Sequence, residues 1–207
     1  VQPPLAEFLE RVLATAQAGL TYSKDPFDIG RFEALRGATA ALIASQSELD
    51  PEAIAHWIAL DSGYPTPKLD VRALILDDAG RLLLVQERSD GLWTLPGGWC
   101  DIGDSPASAV VREVSEETGL ECRALQLLAL FDKHRHPHPP QLPHAHKAFF
   151  LCEATGGTLL SETDETQGAG YFSIDALPAL SRHRVVESQL RTLHEHVRQG
   201  RQDTLFD

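Results

Sequence analysis

Apolar residues recur at helical spacing from the start of the chain. Leu5, Phe8, Leu9, Val12, Leu13 and Ala16 share one face, and the pattern predicts an amphipathic helix closed by Gly19. After Lys24-Asp25-Pro26 a second run with Ile29, Phe32, Leu35, Leu42 and Ile43 predicts another helix, and Asp50-Pro51 is expected to start a short third one carrying Ile54, Trp57 and Ile58. Residues 1–66 are therefore expected to form an all-helical segment, and 67–207 a second domain. Three short helices make a thin core, so part of their apolar surface is expected to pack on the following domain or on a second subunit, giving a homodimer.

Beyond the turn-rich stretch Gly63-Tyr64-Pro65-Thr66-Pro67-Lys68 the period changes. Residues 69–76 read as a strand, Asp77-Asp78-Ala79-Gly80 as a hairpin turn and 81–87 as the returning strand. Residues 124–131 and 147–153 read as two more strands, separated by a loop rich in histidine and proline. Gly156-Gly157 is expected to turn the chain, 170–173 to add a short strand, and Val186, Leu190, Leu193 and Val197 to mark a closing helix.

Between these lies the most informative stretch, residues 97–120. Ser105 suits an N-cap, Pro106 the first helical position and Gly119 a left-handed stop, so a helix is predicted over 106–118. Its periodicity assigns Ala107, Val110, Val111, Val114 and Thr118 to a core face and Glu113, Glu116 and Glu117 to the opposite one. Three carboxylates so close together repel. A hard divalent cation, Mg2+ or Mn2+, relieves that repulsion, and Arg112, one turn before Glu116, is placed to hold its carboxylate.

Charge narrows the partners. A net charge of −12 with no basic stripe argues against broad nucleic-acid or anionic-membrane binding, so an anionic substrate must be met by metal ions and a few local cations. The acidic helical segment lacks a basic recognition helix, so DNA is not an expected partner. Cys100, Cys122 and Cys152 show no C-x-x-C spacing, which suggests neither a disulfide framework nor zinc and fits a reducing cytoplasm. No apolar run is long enough to predict a membrane span or a signal peptide.

The stretch resembles the Nudix box: a glycine, five residues, a glutamate, seven residues, then R-E-U-x-E-E-x-G-U with U aliphatic. Gly98 stands at the glycine, and Arg112-Glu113-Val114-Ser115-Glu116-Glu117-Thr118-Gly119-Leu120 fits every specified position of the second half. Asp104 stands where the family has its first glutamate; with Gly98 it falls to supporting the loop and the helix start. The resemblance implies an α+β Nudix fold, a mixed sheet between helices in an α/β/α sandwich, with the helical segment as an N-terminal extension. Four further stretches resemble one subgroup, which acts on nucleoside diphosphates linked to another moiety: 16–22, 63–73, the histidine-rich 136–141 with 144–153, and the terminal Leu205-Phe206-Asp207. They point to the CDP-choline pyrophosphatase type, giving CMP and phosphocholine, with ADP-ribose pyrophosphatase activity close by.

By the same resemblance, Glu113 and Glu117 are the leading metal ligands, Glu116 a third, and the Gly97 carbonyl completes the shell around two or more Mg2+ or Mn2+ ions. The general base lies in the box or in a later loop, where Glu162 and Glu165 are the candidates, each equally readable as a solvated loop acid. Arg72 and Arg88 lie near the box, where an anionic substrate could meet them, and each is equally readable as one half of an ordinary surface ion pair. The five histidines between 134 and 146 match no common metal motif, and His138, with Lys147 or Lys133, is read as touching the nucleotide or its phosphates. Trp93 is read as core and Trp99 as a stacking surface. Two other functions stay open: removal of nucleotides or pyrophosphate from RNA ends, and a non-catalytic nucleotide sensor, which the intact box disfavours.

Overall fold

A computed structural model of the chain describes residues 3–46, 54, 58, 62–139 and 143–207. Two compact units emerge, Val1–Pro67 with Pro140–His144, and Lys68–Pro139 with Ala145–Asp207.

In the first unit α1 spans Pro3–Tyr22 and α2 spans Pro26–Ser45. Asp25 caps α2 by accepting from the amides of Phe27 and Asp28, and Pro26 takes the first helical position, where its missing N–H costs nothing. Gly19 does not end α1, contrary to expectation. The helix runs on to Tyr22, and Gly19 marks where Phe32 of α2 crosses: a Cβ there would sit 2.5 Å from the Phe32 ring. Ala40, Ala44, Ile54 and Ile58 form a small core with Leu13 and Ile43. Ile54 and Ile58 are helical, while Asp50, Pro51 and Trp57 of the expected third helix lie outside the described residues. Phe8, Tyr22, Phe27, Leu35 and Leu42 stay exposed on the single chain.

The second unit holds two sheets. β1 (Lys68–Ile75), β5 (Ala145–Gly157), β4 (Leu120–Asp132) and β7 (Leu205–Phe206) form the larger in that order, with β1 parallel to β5 and β4 antiparallel to it; β3 (Trp93–Thr94), β2 (Leu82–Glu87) and β6 (Thr166–Phe172) form the smaller. The expected β1–β2 hairpin is thus corrected. The turn forms, with Asp77 accepting from the Ala79 and Arg81 amides, but only a Leu76–Leu82 bridge follows before the strands part into different sheets. The place beside β1 is taken instead by 96–100: the Val71 and Ala73 amides donate to Gly98 O and Pro96 O, and the Cys100 amide donates to Leu69 O.

Gly156 and Gly157 do not turn the chain either. They pair with Glu121 and Leu120 at the end of the long β4–β5 ladder, which outruns the expected strands and is broken by register shifts at Glu121/Cys122, Ala124/Gln126 and Leu127/Ala129. At the other edge β7 pairs with Ala129 and Leu130, and the Asp207 carboxylate accepts from the Asp132 amide at 2.7 Å.

Two cores flank the larger sheet. α3 (Pro106–Thr118) covers one with Val71, Ala73, Ile75, Val110, Val114 and Phe150, and α4 (Glu187–Arg198) covers the other with Leu74, Leu84, Phe149, Leu190 and Leu193. Among the described residues no helix is long and apolar enough to cross a membrane.

Candidate active site

The predicted helix over 106–118 forms with the expected ends. The Ser105 hydroxyl accepts from the Ser108 amide at 3.1 Å, Ser108 Oγ accepts from the Ser105 amide at 2.8 Å, and Gly119 takes the left-handed conformation at φ 73°. Its faces are not as the periodicity was read. Glu117 projects within about 20° of Val110 and between it and Glu113, in the middle of the buried face; Glu117 and Glu113 are 4% and 7% exposed, while Ala107 is exposed. The helix therefore carries two carboxylates into the protein rather than away from it.

The loop before the helix is shaped to meet them. The Gly97 amide donates to Glu117 Oε2 at 2.8 Å, and at φ 140° a side chain there would drive into the backbone of Val71 and Arg72. At Gly98 a Cβ would lie 2.8 Å from Glu113 Oε2, so the glycine leaves room for the carboxylate itself. Arg112 ties the outer rim, with Nη1 donating to Glu116 at 2.9 Å and to Glu113 at 3.0 Å and Nε to Asp104 at 3.2 Å, while Asp101 stands 3.5 Å from Nη2.

Glu116 stays on that rim, and the third carboxylate comes from far along the chain. Single oxygens of Glu113, Glu117 and Glu165 all lie within 4.8 Å of one another. Burial raises Glu113 and pushes Glu117 up to about 8 against the pull of Arg72 and the Gly97 amide, with Glu87 and Glu113 adding repulsion. Carboxylates so crowded and dry fit a divalent cation with oxygen ligands. Glu162 points elsewhere: its carboxylate is 3.4 Å from Arg88 Nη2 at the surface. Arg88 in turn is turned to the loop, donating from Nε and Nη2 to Thr163 O at 2.9 and 2.7 Å.

Arg72 and Lys147 are nearly sealed, 3% and 2% exposed, in a buried triad with Asp70. Arg72 Nε and Nη2 grip the two Asp70 oxygens at 2.9 and 2.8 Å, its Nη1 donates to Leu95 O, and Lys147 Nζ donates to Asp70 Oδ1 at 2.7 Å. Burial alone would raise Asp70, but the two cations outweigh it and bring it down to about 2, while burial lowers Lys147 to about 8. His138 Nδ1 donates to Arg182 O at 2.7 Å; burial, with Lys147 and Lys133 nearby, lowers it to about 4. His136 meets Asp207 at 3.2 Å and packs on Phe131, so the terminal Asp207 anchors this loop. Trp93 packs edge-on against Phe172, and Trp99 is half exposed.

The sequence pattern does not single out Asp70, Glu87, Arg184 or Asp90. Asp70 is the hub of the triad. Glu87, 8% exposed, pairs with Arg184 Nε at 2.8 Å, and Arg184 extends to Asp90 at 3.2 Å. The signal for Glu87 was present, as an acid closing the apolar strand Leu82–Val85.

Comparison with known proteins finds relatives over the whole chain. A family model described as the NUDIX domain matches residues 66–194, and one described as a UDP-X-like, N-terminal oligomerisation domain matches residues 3–58. The chain is 44% identical to a putative ADP-ribose pyrophosphatase of Bacillus subtilis, over 100% of this chain and 99% of that one. Among solved structures, one titled UDP-X diphosphatase is 35% identical with a TM-score of 0.64, covering 99% of this chain and 98% of its own. An ADP-ribose pyrophosphatase from Streptococcus suis is 43% identical with a TM-score of 0.61, over 69% of this chain and all of that one.

Proposed function

The chain belongs to the Nudix family of hydrolases, and we propose that it is a divalent-metal-dependent pyrophosphohydrolase of nucleoside diphosphates linked to a sugar. Cleavage of the diphosphate bond gives a nucleoside monophosphate and a phosphorylated second moiety. The observation that carries this reading is the meeting of Glu113, Glu117 and Glu165, two of them buried, under the Gly97-Gly98 loop. ADP-ribose leads the substrate list because of the 44% identical relative, a UDP-linked sugar follows because of the full-length structural neighbour, and CDP-choline, favoured by the sequence resemblance, stays in the panel.

A diphosphate carries negative charge on both phosphorus centres, so water attacks it slowly until that charge is neutralised and a base takes the proton. Glu113 and Glu117, with Glu116 and the Gly97 carbonyl, would hold two or more Mg2+ or Mn2+ ions, and such ions would supply that neutralisation. Arg112 holds Glu116 and Glu113 in register, and Gly98 keeps space for Glu113. Glu165 is the proposed base: it is exposed to water at the edge of the group, whereas Glu162 is engaged by Arg88. The Asp70–Arg72–Lys147 triad has one positive charge in excess and faces Glu117 through Arg72, which supports an electrostatic role behind the carboxylates rather than direct contact with substrate. The N-terminal helices, with exposed Phe8, Leu35 and Leu42, are proposed to form a homodimer.

The experiment is hydrolysis of ADP-ribose, a UDP-sugar and CDP-choline with Mg2+ or Mn2+, alongside Glu117→Gln. Metal-dependent release of a nucleoside monophosphate, lost in the variant, supports the reading. Tight binding of a nucleotide without turnover would instead make the chain a sensor.

A further inference from the structure

Glu165 sits on a short arm, 162–166, that leads from β5 into β6, forty-eight positions beyond Glu117 in sequence, yet a carboxylate oxygen of it comes within 4.8 Å of those of Glu113 and Glu117 on the box helix. An exposed loop acid has no such precision by itself. Two contacts give it. Thr166, 1% exposed, donates its hydroxyl to the Glu117 backbone carbonyl at 2.9 Å, tying the arm to the last turn of α3, the turn that carries Glu117. That carbonyl is one of the helix's final acceptors, which have no partner inside the helix. Arg88, at the end of β2, clamps the other side of the arm through the paired donations to Thr163 O, and its own amide donates to Glu165 O at 3.2 Å. Between the two anchors the arm is closed on itself, with Thr163 Oγ1 accepting from the Glu165 and Thr166 amides at 3.2 and 3.1 Å and the Thr163 amide donating to Thr166 O at 2.9 Å.

We propose that Thr166 and Arg88 are positioning residues, which lock the 162–166 arm to the box helix and so set the Glu165 carboxylate against those of Glu113 and Glu117. This rests on the hydrolase reading with Glu165 as base. Neither residue touches the reacting atoms. Misplacing a catalytic group by about 1 Å costs on the order of a hundredfold in rate, and a loosened arm spends only part of its time in register. The expected loss is therefore about tenfold to a hundredfold in kcat, with KM within about twofold.

The test compares Thr166→Val, Thr166→Ser, Arg88→Ala and Glu165→Gln with the unmodified chain, with ADP-ribose, the UDP-sugar and CDP-choline as substrates. Valine keeps the shape of threonine and removes the hydroxyl, serine keeps the hydroxyl, and Arg88 is exposed, so its truncation leaves the core intact. Thr166→Val and Arg88→Ala should each lower kcat at constant KM, and Thr166→Ser should restore most of it. Independently of activity, amide hydrogen exchange over 162–166 should speed up in the first two variants and stay near the original rate in the serine variant. Wild-type kcat in Thr166→Val and Arg88→Ala, with Glu165→Gln impaired, would overturn the positioning role; so would an equal loss in the valine and serine variants. Full turnover by Glu165→Gln would instead remove Glu165 as the base, a separate failure that the same series identifies.

Discussion

Removing the Asp70 charge while keeping its size, as in Asp70→Asn, should be among the most destabilising single changes in the sheet unit. Asp70 is buried, and both its oxygens are taken by Arg72 and Lys147. An asparagine amide would turn a donor toward three donating groups and remove the carboxylate that both cations grip, leaving Arg72 only the more distant Glu117 and Glu87. Breaking a buried ion pair by removing one partner costs about 3–5 kcal/mol. The carboxylate's depression from 3.8 to about 2 agrees in order of magnitude: at ~1.36 kcal/mol per pH unit it corresponds to about 2 kcal/mol of stability. Because the folded-state value is lowered, that contribution is present above pH 3.8 and is lost as pH falls through about 2. Urea unfolding at pH 7 should therefore show Asp70→Asn weaker by about 3 kcal/mol, and the gap from wild type should close toward pH 2. Lys147→Met, which leaves the bidentate Arg72–Asp70 pair balanced, should cost much less. A loss under about 1 kcal/mol in Asp70→Asn, a gap unchanged by acid, or an equal loss in Lys147→Met would refute the reasoning.

Gly98→Ala should fold yet place a methyl 2.8 Å from Glu113 Oε2, forcing the carboxylate back; Mn2+ affinity should fall about tenfold, and wild-type affinity by titration would contradict this. Lys147, lowered from 10.5 to about 8, loses its proton in the folded state first, so its burial penalty is relieved as pH rises from about 8 to 10.5. Wild type should gain stability relative to Lys147→Met across that window in chemical unfolding, and parallel curves would sink the assignment. Light scattering should report a dimer, which arginine substitution at exposed Phe8 and Leu42 should dissociate; a monomeric wild type would remove the interface.

Local signals carried much of this molecule. Capping residues placed α3 because Ser105, Pro106 and Gly119 act through their own backbone neighbours, and a fixed-spacing motif identified the box. What escaped was non-local. Sorting the helix by polarity opposes the carboxylates to the valines, although seven successive 100° steps bring Glu117 back to within about 20° of Val110. Glu165 and Glu162 look alike in sequence, and only the folded arm, held by Thr166 and Arg88, brings one to Glu117 and turns the other away. Likewise Asp70 alternates unremarkably in an apolar strand, and its register opposite Lys147 exists only once β1 and β5 pair in parallel. Gly19 read as a stop because a glycine's need for close approach is invisible without the partner helix.

The most direct measurement is Mn2+ binding and ADP-ribose hydrolysis made on the same samples of wild type, Glu117→Gln and Glu165→Gln. The account predicts that wild type binds the metal and releases AMP, that Glu117→Gln loses both, and that Glu165→Gln loses turnover with the larger share of metal binding retained. Metal-independent hydrolysis, or wild-type turnover in Glu117→Gln, would contradict it.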